Sequence, residues 1–167
     1  MNEQKPEEAF RLAYGGVLAG IYVVLTMVFA PVSFGPVQFR ISEALCIMPY
    51  FSASAVPGLF AGCLLSNLLC GAMPMDVIFG SIATLLGAVG SRMLRRRKWL
   101  VCVPPIVSNT LIIPWVLRYA YGAEELIPFM MVTVGIGEVL AIGVLGNILL
   151  VTLEKIREKG LYVSDRF

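Results

Sequence analysis

Histidine is absent from all 167 residues. Its absence removes the side chain most often used as general base, metal ligand and proton relay, which argues against an intramembrane hydrolase or a metalloenzyme. Charge is scarce as well: only 14% of residues are Asp, Glu, Lys or Arg, against roughly 25% in an average soluble domain. The four cysteines, Cys46, Cys63, Cys70 and Cys102, lie in apolar runs and form no C-x-x-C pair, so neither a metal site nor a redox centre is expected. No G-x-x-x-x-G-K-[ST] pattern occurs; if ATP drives the function, the ATPase is another chain. No catalytic residue, metal or cofactor is therefore expected.

What fills the chain instead is apolar. Hydrophobic residues make up 58%, the mean hydropathy is +0.83, and uncharged runs occupy Leu12 to Phe39, Ala44 to Met75, Val77 to Ser91, Trp99 to Leu117, Leu126 to Gly137 and Val139 to Leu153. A helical span needs about 20 apolar residues. The run of 32 from Ala44 contains the breaker Ser52-Ala53-Ser54-Ala55-Val56-Pro57-Gly58, which divides it into two helices. The expected fold is an all-α integral membrane protein, one membrane domain over 1–167, a bundle of six transmembrane helices at about 7–30, 41–51, 56–72, 76–94, 99–119 and 126–155. With six spans, eleven of the thirteen Lys and Arg fall on one side and only Arg40 and Arg118 on the other. That bias predicts both termini and the Arg92 to Lys98 cluster in the cytoplasm. The cluster is a topology signal, and no nucleic-acid partner is expected. The first run is too long for a cleaved signal peptide, follows a mixed-charge start and lacks a small-residue cleavage site, so it reads as a permanent helix.

The stretch Pro31 to Pro49 breaks this apolar pattern. It gathers Gln38, Arg40, Ser42 and Glu43 between two membrane-compatible runs. A charge at the bilayer centre costs about 2.5 to 3.5 kcal/mol on insertion scales, so the segment reads as a functional loop at an interface or a cavity. Glu138 is the other conspicuous residue, with twelve uncharged residues before it and fifteen after. Neither snorkelling nor a helix cap accounts for a carboxylate so placed, and a functional role is expected.

Other polar residues admit two readings each. Asp76, after Pro74, either caps a helix start or binds a ligand. Asn67 either contacts a ligand or bonds a neighbouring helix. Asn109 and Trp115 share a helix with Pro104, Pro105 and Pro114, whose bends suit a cavity wall, although Trp115 equally suits an interfacial anchor. Gly16-x-x-x-Gly20 and Gly15-x-x-x-Ala19 leave a small-residue face on the first helix, for an internal neighbour or a partner chain. Asn147 points away from Glu138 and reads as structural.

Glu43, Asp76 and Glu138 are expected in the outer half of the bundle, near Gln38, Arg40, Asn67 and Asn109. Carboxylates accept from N–H groups and amides both donate and accept, so the set suits a small polar ligand with a cationic or amidine edge. Phe34, Phe39, Tyr50, Trp115 and Tyr119 are expected in the same half, where they can stack on a flat ring.

The segment Gly35-Pro36-Val37-Gln38-Phe39-Arg40-Ile41-Ser42-Glu43-Ala44-Leu45, with Tyr22-Val23-Val24-Leu25-Thr26 before it and Gly135-Ile136-Gly137-Glu138 in the last helix, resembles the QueT family over essentially the whole chain. These are substrate-binding S components of energy-coupling factor (ECF) transporters. The resemblance implies a six-helix bundle with an outer-half site closed by the loop after helix one. It also implies assembly with a transmembrane coupling subunit and two ATPase subunits, with Gly16 and Gly20 facing the coupling subunit in place of the alanines of many S components. The implied substrate is the deazapurine 7-aminomethyl-7-deazaguanine, a queuosine precursor, or a close relative. An S component for another vitamin and an ion-coupled secondary transporter are the alternatives.

Overall fold

The computed structural model describes residues 4–33 and 39–159. Every regular element among them is helical. In chain order these are α1 (Gln4–Val28), the single turn α2 (Ala30–Ser33), a 3₁₀ helix (Ile41–Tyr50), α3 (Ala55–Leu69), α4 (Pro74–Met93), a short 3₁₀ turn (Lys98–Leu100), α5 (Val103–Ala120), α6 (Ile127–Glu138), a π-helix (Val139–Gly146) and α7 (Asn147–Glu158). The last three run on without a break. Among the described residues four stretches are long and apolar enough to cross a membrane: Glu7–Val28, Pro74–Met93, Lys98–Ala120 and Ile127–Glu158. Backbone groups in hydrocarbon must be satisfied within their own segment, and helices do this.

Between helices in a bilayer there is little hydrophobic drive, so close packing and small residues decide which pairs meet. α1 lies on α3 because both present glycine: a Cβ on Gly58 would stand 2.6 Å from the Gly15 carbonyl oxygen, and one on Gly62 2.8 Å from the Tyr22 Cβ. α4 lies on α5 in the same way, with Gly87 against Pro105 and Gly90 against Pro104, each leaving only 2.5 Å for a Cβ. Those prolines sit in the first turn of α5, where no helical N–H is lost.

The centre of the bundle is not an α-helix. The 3₁₀ helix is buried from Ser42 to Pro49 and packs against α1, α3, α4 and the π-helix. Gly146 of the π-helix forms its seat, since a Cβ there would meet Ile47 at 3.1 Å and the Ala44 carbonyl at 3.3 Å. Tyr22, Leu59, Ile142 and Leu150 join its Ile47 in a fully buried core. The expectation of ordinary α-helices needs correction at two places. The second helical stretch is 3₁₀, and the last carries eight π residues directly after Glu138. Apolar side chains such as Leu12, Val24, Leu86 and Leu126 face outward, as lipid contact requires.

Candidate ligand-binding site

Two features place the first set of polar groups. Past the end of α3 stands Gly71, whose φ of 70° suits a residue without a Cβ; Gly71 N–H closes on Leu68 O and Ala72 N–H on Asn67 O, a Schellman cap. The tight turn brings the start of α4 back over α3, so the Asn67 amide donates to the Asp76 carbonyl at 3.2 Å. Gly80, one turn below Asp76, leaves the space for both side chains: a Cβ there would stand 2.8 Å from Asp76 Oδ1 and 3.2 Å from Asn67 Nδ2.

The Asp76 carboxylate is turned across the bundle. Its Oδ2 accepts from Arg40 Nη2 at 3.2 Å, a buried ion pair, and from the Tyr121 hydroxyl at 3.0 Å. Asp76 is thus the third residue of a helix whose carboxylate serves a cross-bundle contact.

The first turn of the 3₁₀ helix supplies the second set. Ser42 accepts from Thr26 Oγ1 at 2.8 Å, which fixes the turn against α1. Glu43 Oε1 accepts from the Tyr22 hydroxyl and from Thr84 Oγ1 at 3.4 Å; its Oε2 accepts from the Cys46 thiol at 2.9 Å. Thr84 also reaches Cys63 Sγ at 3.3 Å, which joins this set to Asn67, whose Nδ2 lies 3.8 Å from the same sulfur. Across the centre, Glu138 hydrogen-bonds the side chain of Asn109 and feels the charges of Glu43 and Arg40. Arg40, Glu43, Asn67, Asp76, Asn109 and Glu138 make up a buried polar cluster, each 5% exposed or less.

Three oxygens of this cluster, Asn67 Oδ1, Asp76 Oδ1 and Glu138 Oε2, are buried without a hydrogen-bond donor among the described residues. Leaving a buried acceptor unsatisfied costs about 1 to 3 kcal/mol. All three are acceptors, and an acceptor so placed can take an N–H from a ligand.

The remaining expected residues stand apart. Gln38 lies outside the described residues, as does Phe34. Trp115 is 46% exposed, stacks on Tyr119 with centroids 6.3 Å apart and lines an apolar groove with Met75, Phe79 and Leu111; the structure does not bring it into the cluster. Tyr50, grouped above with the aromatics of the outer half, belongs to the opposite end of the 3₁₀ helix from Glu43 and donates to Glu154 at 2.7 Å. Asn147 donates to the Gly143 carbonyl at 2.6 Å within its own helical stretch. Gly15 and Ala19 face α3, whereas nothing lies within 4 Å of a Cβ placed on Gly16 or Gly20.

Four members of the cluster were not singled out as site residues from sequence: Tyr22, Thr26, Thr84 and Tyr121. Thr84 carried a usable signal, sharing a helix face with Asp76 and Gly80, and Tyr22 and Thr26 mark the ends of the stretch that precedes the polar segment in the family resemblance.

Comparison with known proteins agrees with a membrane carrier of this kind. The chain is 33% identical over 84 residues to a protein of Lactococcus lactis subsp. cremoris named queuosine precursor transporter QueT, a match covering 49% of this chain and 49% of that protein. The match thus spans about half the length of that relative. No solved structure matches. The family described as QueT transporter, a transporter family and not an enzyme family, matches residues 12–155. On that match the chain is a multi-pass membrane protein belonging to the QueT transporter family.

Proposed function

We propose that this chain is the substrate-binding S component of an ECF importer, and that it captures 7-aminomethyl-7-deazaguanine or a close relative from outside the cell. The observation that carries the reading is the trio of donorless buried oxygens on Asn67, Asp76 and Glu138. A deazaguanine edge offers a ring N–H beside an exocyclic amine, a two-point match for a carboxylate, and the aminomethyl group is a cation that seeks another. The name of the Lactococcus relative supports the same substrate class. In this reading Arg40, Glu43, Asn67, Asp76, Asn109 and Glu138 surround the ligand, and Gln38 reaches it from the loop after α1. The protein lies in the bacterial cell membrane with both termini and the Arg92 to Lys98 cluster cytoplasmic. The open face at Gly16 and Gly20 receives the coupling subunit, which carries two ATPase subunits.

The test is calorimetric titration of the purified protein with 7-aminomethyl-7-deazaguanine, wild type beside Glu138→Gln. The variant keeps the shape of Glu138 but removes its charge. A charge-assisted bond is worth about 1.5 to 3 kcal/mol, so affinity is expected to fall roughly tenfold to a hundredfold or more. Equal affinity in both proteins would show that Glu138 is not a ligand group. For the partner face, Gly16→Leu or Gly20→Leu is expected to reduce co-purification with a coupling subunit while ligand affinity stays within about twofold, because a bulky side chain holds two backbones apart. Normal complex yield in both variants would place the interface elsewhere.

A further inference from the structure

α5 stops at Ala120, and the chain turns at Gly122, whose φ is 67°. Ala123 N–H closes this turn on Leu117 O at 3.1 Å, and Arg118 Nη1 ties it down by donating to Ala123 O at 2.6 Å. Tyr121 is held between these anchors. Its hydroxyl accepts from Met73 N–H at 3.2 Å, in the connection from α3 to α4, and donates to Asp76 Oδ2. Arg40, which leads into the 3₁₀ helix, donates to the same oxygen. Two connections of the bundle therefore meet on one carboxylate oxygen, Tyr121 also holds a third through Met73, and the other oxygen of Asp76 keeps no donor among the described residues.

We propose that Tyr121 is a positioning residue for substrate capture and the releasable latch of the buried cluster. The proposal rests on reading that cluster as the substrate site. Its basis is a difference in exposure. Arg40, Asn67, Asp76, Asn109 and Glu138 are each 5% exposed or less, so a solute reaches them only when some part of the surrounding shell moves. Tyr121 is 44% exposed, and of the residues that bond the Asp76 side chain it alone stands in contact with the surroundings. Breaking its hydrogen bonds is the cheapest opening move, because solvent replaces both partners at once. The closed latch also has a directional effect. With Tyr121 and Arg40 both on Oδ2, the other oxygen, Oδ1, is left on the Gly80 side, where Asn67 Nδ2 also lies. Burial, with the Asp76 carboxylate beside it, raises the phenol above its ordinary pKa, so it remains a donor at physiological pH.

The experiment uses a native reporter. Cys63 is fully buried, with Thr84 and Asn67 on its sulfur, so its reaction with a small cationic methanethiosulfonate reports access to the cluster with no substrate present. Labelling is measured by peptide mapping on the full chain in lipid vesicles, for wild type, Tyr121→Phe, Tyr121→Ala and the control Tyr119→Phe, whose hydroxyl is at the exposed Trp115 stack. The expected result is at least tenfold faster labelling of Cys63 in both Tyr121 variants and no change in the control. Release of 7-aminomethyl-7-deazaguanine, followed by stopped flow, is expected to accelerate in Tyr121→Phe by a similar factor with little change in melting temperature. Faster labelling in Tyr121→Ala alone would assign closure to the ring and overturn the hydrogen-bonded latch. Unchanged labelling in both variants would overturn it outright, and if wild type still bound the deazaguanine tightly the substrate reading would survive. Faster labelling with no deazaguanine binding in any form would leave the latch standing and remove the substrate reading.

Discussion

The two ends of the 3₁₀ helix present polar groups in opposite conditions. At the Glu154 end, Lys98 pairs with Glu154 at 2.9 Å, the Tyr50 hydroxyl donates to the other oxygen of the same carboxylate, and Arg92 donates to the Pro49 carbonyl at 3.0 Å. Lys98 and Glu154 are partly exposed, 39% and 20%, and each Glu154 oxygen has a donor. At the Asp76 end the ion pair is buried and three oxygens have none. The first arrangement ties α7, the 3₁₀ helix and the α4–α5 connection together at little cost. The second is expensive, and stability alone does not account for it: an apolar cluster of the same shape would cost less. On the proposed function, the difference separates polar groups that hold the fold from those that take the substrate.

Two substitutions sharpen the contrast, the larger effect first. Asp76→Ala removes one member of a buried pair and leaves the Arg40 charge in place, a change that typically costs about 3 to 5 kcal/mol. Equilibrium unfolding in mixed micelles is expected to show a loss of that size, and a loss below about 1 kcal/mol would mean that Arg40 is well compensated without Asp76. Glu154→Gln breaks a half-exposed pair, for which about 0 to 1 kcal/mol is typical. The same unfolding assay is expected to register a small decrease, and titration with the deazaguanine no change in affinity. A tenfold affinity loss in Glu154→Gln would join the two ends functionally and end the distinction drawn between them.

Much of the cluster was legible before any coordinates. Glu138 stood out because no helix end lies near enough to relieve its charge, and Glu43 because it shares a short polar segment with Arg40. Asp76 was ambiguous for a sound reason, since position alone cannot say whether a carboxylate near a helix start faces its own backbone or a cation 36 residues away. Tyr22 and Thr26 belong to the stretch that carries the family resemblance but gained no role from it, because hydroxyl residues are ordinary in apolar helices and their partners come from the 3₁₀ helix, beyond any local pattern. Trp115 and Tyr50 suggested aromatic walls by depth in the chain, but depth does not give direction: one faces outward and the other the opposite end. The 3₁₀ and π geometries carry no periodic signature in runs this apolar. They arise from how the Ile41–Tyr50 segment and Gly146 pack against each other.

The central 3₁₀ helix also acts as a ruler. A 3₁₀ helix advances about 2.0 Å per residue against about 1.5 Å in an α-helix, so the stretch from Glu43 to Tyr50 within Ile41–Tyr50 covers roughly 14 Å where an α-helix would cover roughly 10.5 Å. That additional reach is what lets so short a segment hold Glu43 to Tyr22 at one end and Tyr50 to Glu154 at the other. Rewound as an α-helix, the same stretch would draw those two anchors roughly 3.5 Å closer together.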